Sequence, residues 1–519
     1  MAKVMGSETR VLFVAFLSRF LLLTLILLLR LLFSPYDTSA SLNPGCLSAA
    51  SGGGKSPASD PVLWPRLAAA IESSIVWDGV YFVRIAECGY EYEQTYAFLP
   101  LLPAAMVLLS RSVFAPLVPV IGYRATLALS GYVLNNVAFV FATLYLYRLS
   151  VLVLKDSAAA LCASVLFSFN PASVFYSSVY SESLYALFSL GGVFYLFSGA
   201  KTVATVLLAL SGSARSNGAL NAGYLCFLAI LQAYVAIIQK KKPMLAVKAI
   251  LSAIMCSIFI FVPFLAFQAY GYLNICLDGA SYGRREWCKE KVPLLYGFLQ
   301  SHYWGVGFLR YFQVKQLPNF LLASPILSLA VCSIVHYGNV LHQLFQSSFM
   351  HEQIISAAQL QLMRPNESSD VIWTSKNIVS SKSPQGVHVV RQRKQDRKDE
   401  SSASLQDIRS IGQTLHQAKQ GEISITFLPF VLHLAFMTFM AFFVMHVQVR
   451  THLLLSPRCL DLKVATRFLS ASPPIYWFAS NFFVTATNAS TRWRYLFWVY
   501  SVTYILLGSL LFSNFYPFT

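Results

Sequence analysis

One carboxylate, Asp78, stands between Trp77 and Gly79, with Tyr81, Phe82, Tyr90, Tyr92 and Tyr96 close by in the chain. A bulky side chain before an acid and a residue without Cβ after it can fix a carboxylate while letting a ligand approach the backbone. A carboxylate held in this way can take a proton from an attacking hydroxyl, which is general-base work, and Trp77 would then line the ligand side. The same aspartate at the head of a helix would equally serve as a cap, and the local sequence leaves both readings open.

A second concentration of polar chemistry runs from Phe169 through Asn170-Pro171 to Tyr185. Asn-Pro breaks a helix, a run of hydroxyls follows, and broken helices inside membranes line cavities. Within that stretch Asn170 faces such a cavity, and Glu182 either orients a sugar hydroxyl or caps the next helix. Arg215 in Ala214-Arg215-Ser216-Asn217-Gly218 and Arg467 in Thr466-Arg467-Phe468-Leu469 suit a phosphate at headgroup depth, with Asn217 beside the first. Snorkelling anchors would look the same. His302-Tyr303-Trp304 and Gln316-Leu317-Pro318-Asn319-Phe320 form a third patch, in which His302, Trp304 and Gln316 are candidate ligand contacts and an ordinary aromatic belt is the alternative. The candidate set is therefore Asp78 as the catalytic base, with Trp77, Asn170, Glu182, Arg215, Asn217, His302, Trp304, Gln316 and Arg467 binding substrate.

The elements that position these residues must dissolve in lipid. A chain of 519 residues that is 56% hydrophobic and 12% charged, with mean hydropathy +0.57, cannot hide its apolar surface in one water-soluble core. The expected fold is an all-α polytopic membrane protein. The run from Val11 to Phe33 exceeds a signal-peptide core and lacks a small-residue cleavage site, so it reads as a retained span. Further spans are expected near 123–147, 157–177, 182–199, 202–214, 219–239, 244–267, 319–338, 425–449, 473–490 and 495–512, about eleven in all.

With Lys3 and Arg10 cytosolic, strict alternation puts Arg148, Lys155, Lys201, Lys240 to Lys242, Arg391 to Lys398, Arg492 and Arg494 on the same side. The net charge of +17 thus reflects topology and not nucleic-acid binding. The chain divides into 1–33, the cytosolic start and first span; 34–122, a first far-side loop with the Trp-Asp-Gly site; 123–338, a bundle with a far-side loop at 268–318; 339–424, a basic cytosolic loop expected to be disordered; and 425–519, the last spans with a further far-side loop at 450–472. Ser34 to Asp60 reads as a flexible linker, and Trp64 to Leu109 as helices lying in the interface. Asn366-Glu-Ser falls on the cytosolic side, where topology leaves this glycosylation pattern unused, whereas Asn488-Ala-Ser falls inside or beside a span. Cys162, Cys226, Cys256 and Cys332 lie in apolar runs and read as small buried hydrophobes, and the nine cysteines show no metal-type spacing. Paired acids at mid-span and repeated halves, both expected of a proton-coupled transporter, are missing from the sequence.

Trp77 to Ala86, Gly89-Tyr90-Glu91-Tyr92-Glu93, Phe98-Leu99-Pro100, the Asn170-Pro171 to Tyr185 stretch, Ala214 to Gly218, Pro318-Asn319-Phe320 and His446-Val447-Gln448-Val449 together resemble the PIG-V family of GPI mannosyltransferases. The resemblance runs in order over most of the chain, leaving out the Gly/Ser linker and the basic loop. It implies a GT-C architecture in the endoplasmic-reticulum membrane, with the far-side loops luminal. It also implies transfer of the second mannose, α-1,6-linked, from dolichyl-phosphate-mannose to a GPI-anchor precursor. A β-linked donor giving an α-linked product requires inversion, and Asp78 occupies the first luminal loop, where GT-C enzymes keep their catalytic carboxylate. The Asp-x-Asp pair of some relatives does not occur. Arg450 to Lys463 departs from the family pattern as an insertion that could displace Arg467 and the segment from Ser470 to Trp477. In an oxidising lumen Cys276 and Cys288 could be a disulfide or two thiols. The partners implied are the lipid-linked donor, the GPI precursor and membrane lipid; a divalent metal and a small membrane subunit stay open. Another polyprenyl-phosphate-sugar transferase, or a lipid or sugar transporter, is the competing reading.

Overall fold

The computed structural model describes residues 2–34, 36, 46–47, 62–277, 285–346, 425–444, 464–484, 488–514 and 516, and every regular element among them is helical. Most of the 34–60 linker, residues 347–424 with Asn366, the His446 to Val449 segment and the 450–463 insertion lie outside the described residues.

Among the described residues seven helices are long and apolar enough to cross a bilayer: Gly6–Leu32, Tyr123–Leu154, Ser216–Ile238, Pro243–Leu277, Asn319–Gln346, Ile425–Phe443 and Ser490–Phe512. An eighth counts if Leu101–Arg111 and Ala115–Ile121, bent by 73°, form one broken span. Four of the runs expected as spans fold as shorter helices: Ser157–Ser168, Glu182–Phe197, Lys201–Ala214 and Pro473–Val484. Each falls short of the roughly 20 residues that a bilayer requires. The reason is local: breakers such as Asn170-Pro171 and Pro473-Pro474 interrupt apolar runs, and helices packed inside protein need not match the lipid thickness.

The elements that matter for the site are α1 (Ala2–Leu32), α2 (Asp78–Cys88), α3 (Tyr123–Leu154), α4 (Ser157–Ser168), α5 (Glu182–Phe197), α6 (Lys201–Ala214) and α7 (Val464–Leu469). α4 starts where the Asp156 side chain accepts from the Ala158 N–H at 2.8 Å, an ordinary N-cap. It stops because Pro171 has no N–H for the Phe167 carbonyl, which takes the Asn170 side-chain amide instead at 2.8 Å. The Asn170 Oδ1 then accepts from the Ala172 N–H at 2.8 Å, closing a tight Asx turn. Carbonyls freed downstream are met by side chains of α3, Asn135 on Ser178 O at 2.6 Å and Asn136 on Ser177 O at 3.1 Å. The core gathers around this break, where Phe139, Phe167, Phe175, Tyr176 and Trp477 are all buried. α6 ends at a turn, Ser216–Asn221, that only glycine permits: a Cβ on Gly218 would lie 2.3 Å from the Ser211 backbone.

The loops expected at 34–122 and 268–318 pack on each other. Glu93 accepts from Trp287 Nε1 at 3.0 Å and from the Tyr303 hydroxyl at 2.8 Å, and Asn274 donates to the Tyr96 hydroxyl at 3.1 Å. Two disulfides lie in these loops, Cys46–Cys88 and Cys276–Cys288. The second takes one of the two options that the sequence left open; the first was not foreseen. Cys226 and Cys332 correct the expectation of buried thiols: both are exposed, whereas Cys162 and Cys256 are partly buried. All four lie on apolar helices, so outward-facing positions there meet lipid and a cysteine needs no protein neighbour.

Candidate active site

Asp78 is the first residue of α2, so its N–H has no helical acceptor and donates to the Tyr180 hydroxyl at 3.0 Å. Trp77, just before it, has φ +54° and ψ −128°, a conformation that costs a side-chain-bearing residue about 1–3 kcal/mol. The indole N–H donates to the Phe512 carbonyl at 3.1 Å, which ties this strained residue to the end of the last span. Gly79 follows as a buried residue in the first turn of α2.

Two acids and two arginines meet here. Arg467, on α7, donates from Nη1 to Asp78 Oδ2 at 3.1 Å and from Nε to Glu182 Oε1 at 2.6 Å. Arg215, at the end of α6, donates from Nη1 to the same Glu182 oxygen. The Arg467 guanidinium also lies over the rings of Phe175 at 4.8 Å and Tyr180 at 4.7 Å, the geometry of a cation–π contact. Its helix is seated by Ser470, whose hydroxyl pairs with the Tyr176 hydroxyl at 2.8 Å and whose carbonyl accepts from the Tyr476 hydroxyl at 2.6 Å. Arg467 thus stands against both carboxylates, and residues 450–463, expected to be an insertion, lie outside the described residues.

The two acids differ in access, and that difference separates their roles. The Asp78 side chain keeps 34% of its surface exposed and Glu182 only 2%. Glu182 is a buried charge neutralised by two guanidinium groups, and a buried acid so held organises its neighbours. Asp78 is the one that a ligand can reach. Its carboxyl is raised above the usual range by enclosure, with Arg467 opposing and the Glu182 charge adding to the rise. For Arg467, burial works against the charge, but Glu182 and Asp78 outweigh it and hold the group above its ordinary value.

Among the other sequence candidates, Asn217 is buried in the turn after Arg215, and its side-chain oxygen has no donor among the described residues. Trp304 reaches the site through two rings: it packs edge-on against Phe98 at 6.3 Å, and Phe98 stacks on Tyr81 at 4.8 Å, one turn beyond Asp78. Three candidates are used elsewhere. Asn170 is fully buried, with its amide spent on the Asx turn, so it shapes the break. His302 stacks on Phe298 at 4.9 Å and is exposed at the end of its short helix. Gln316 engages Tyr311 and Asn319, a network at the start of the 319–346 span. The sequence reading missed Phe175, Tyr176, Tyr180 and Ser470; the first three lay inside the stretch it marked as unusual.

Among the described residues one group, Cys46, Cys88 and Glu91, has clustered donors of metal-ligating type. Both thiols are consumed in a disulfide, so the thiolates that a metal would need are not there. A small void lies behind Phe468 of α7 and Tyr185 of α5, lined also by Tyr224 and His433, and none of the four charged residues lines it.

The fold and the site together define a polytopic helical membrane protein whose helix breaks deliver a reachable carboxylate, backed by arginine, to one end of the bundle. Residues 8–519 match the mannosyltransferase (PIG-V) family, and the chain belongs to it. It is 32% identical over 276 residues to GPI alpha-1,6-mannosyltransferase 2 of Rattus norvegicus, covering 49% of this chain and 56% of the relative. It is 28% identical over 466 residues to GPI mannosyltransferase 2 of Drosophila pseudoobscura, covering 85% and 86%. A relative of the same name in Cryptococcus neoformans is 35% identical over 271 residues, covering 50% and 62%. The chain thus spans about half the length of the mammalian relatives it matches, and most of the insect one. No solved structure is significantly similar to it.

Proposed function

We propose that this chain transfers the second mannose, α-1,6-linked, from dolichyl-phosphate-mannose to a GPI-anchor precursor on the luminal side of the endoplasmic-reticulum membrane. Asp78 takes the proton of the acceptor hydroxyl as its oxygen bonds to mannose C1. The bond from C1 to the phosphate oxygen breaks in the same step, and dolichyl phosphate leaves with the electron pair. One displacement inverts the anomeric centre. Arg467 and Arg215 supply positive charge beside the departing phosphate. The names of the relatives support the acceptor and the sugar. The luminal placement is supported by the cysteines: both disulfides lie in the two loops around Asp78, and the four described free thiols lie on apolar helices.

The observation that carries the mechanism is the contrast between the half-open Asp78 and the sealed Glu182, joined through one guanidinium. Asp78→Asn keeps the shape and removes the base. In cells lacking their own enzyme it should reach wild-type abundance and lower mannosyl transfer by about 10²- to 10⁴-fold, the share general-base catalysis supplies. Surface GPI-anchored proteins and the accumulating lipid intermediate are the readouts. Near-normal anchors would overturn the assignment of Asp78, and accumulation of an N-glycan precursor instead would overturn the choice of acceptor.

A further inference from the structure

Arg19 lies midway along the first span, 3% exposed, and no acid pairs with it among the described residues. A cation at that depth is expensive, and such residues persist where they serve function. Its guanidinium has five N–H donors, and all five are used, each on an uncharged oxygen. Nε donates to the Ser18 hydroxyl at 3.3 Å, Nη1 to the Ser173 carbonyl and Ser177 hydroxyl at 3.1 Å each, and Nη2 to the Ser168 carbonyl at 2.8 Å and the Ser173 hydroxyl at 3.2 Å. The charge sits over the Phe139 ring at 3.9 Å. With no donor left over, Arg19 has nothing to offer a ligand.

Four of those five bonds fall on the break between α4 and α5. Ser168 O is the carbonyl whose helical partner, the Ala172 N–H, has gone to Asn170, so Arg19 replaces the bond that the Asn-Pro sequence removes. The same break carries Phe175 and Tyr180, the rings under Arg467; Tyr176, which holds Ser470; and the Tyr180 hydroxyl, which accepts from the Asp78 N–H. We propose that Arg19 is a positioning residue for the transfer reaction: it clamps the broken helix to the first span and so fixes the rings that set the Asp78–Arg467 geometry. It touches neither substrate. This rests on the reading of Asp78 given above.

The test uses the full-length chain in lipid nanodiscs, as Arg19→Met alone, Tyr180→Phe alone and both together. Arg19→Met should leave the KM for either lipid substrate within about threefold, lower kcat at least tenfold and speed amide exchange across 168–182 at least tenfold. In the Tyr180→Phe background the same change should lower kcat by less than about threefold, because both act on one geometry. A change in KM at constant kcat, unaltered exchange, or a loss that multiplies in full through the double variant would overturn the proposal. Should Arg19→Met yield no folded protein, Ser173→Ala with Ser177→Ala removes two acceptors and leaves the arginine. At least threefold slower turnover with faster exchange then supports the clamp, and no change in either refutes it. A wild-type chain that fails to transfer mannose overturns the function reading, while exchange across 168–182 still reads the clamp without turnover.

Discussion

The central residue pair makes its own pH dependence. Asp78 is raised above the usual carboxylate range mainly by enclosure, so transfer should fall on the acid side through an apparent pKa higher than that of a free aspartate. Arg467 pulls the group down and Glu182 pushes it up, so the signs of two substitutions are fixed. Arg467→Met removes a nearby cation, the anion loses support, and the acid limb of kcat/KM should move to higher pH, with a loss of rate of about 10²–10³ at its optimum. Glu182→Gln removes a like charge, and the limb should move lower. A limb that stays put in both variants would mean that another group titrates in turnover. The same raised value bears on stability: a carboxyl that ionises less readily folded than unfolded contributes stability below its unfolded pKa and loses it as pH rises through the folded one. Asp78→Asn should therefore leave the melting temperature at pH 7 within about two degrees of wild type or raise it, measured on purified protein.

The elements that carry these residues are mostly interruptions. Ser216–Asn221 holds Arg215 against Glu182 because Gly218 lets two backbones meet, so Gly218→Ala should cost about 1–3 kcal/mol and lower the midpoint of thermal unfolding. An unchanged midpoint would show that the turn relaxes without penalty. The sequence announced the break at Asn170-Pro171 and the acid at its far end, since both are written in residue type. It could not show that Asn170 would spend its amide on its own turn, because an asparagine beside a cavity and one closing an Asx turn read alike. Arg19 stands inside the apolar run from Val11 to Phe33, where its residue type alone names no partner. Its role depends on Ser168, Ser173 and Ser177, about 150 positions on, as set by the hydrogen bonds it makes. Periodicity says nothing about such distant partners.

At the scale of the whole molecule, hydropathy gave the helical class and the order of segments, while four of the runs it marked as spans, α5 and α6 among them, fold as shorter helices. The two loops that alternation puts on one side pack together through Glu93 and Tyr96. A glycan acceptor tag placed between Leu47 and Pro61 should be modified in cells and the same tag between 380 and 390 should not, read as a glycosidase-sensitive shift; the reverse pattern would put Asp78 on the cytosolic side. The site itself closes over a great length of chain, because Arg467 contacts Asp78 across 389 residues. The ribosome has delivered both acids and Arg215 long before the second cation exists. A nascent chain therefore carries, for about half of its synthesis, an acid pair facing a single arginine, and any product cut short before α7 keeps that excess negative charge. A product cut short before α7 lacks the guanidinium that joins Asp78 to Glu182.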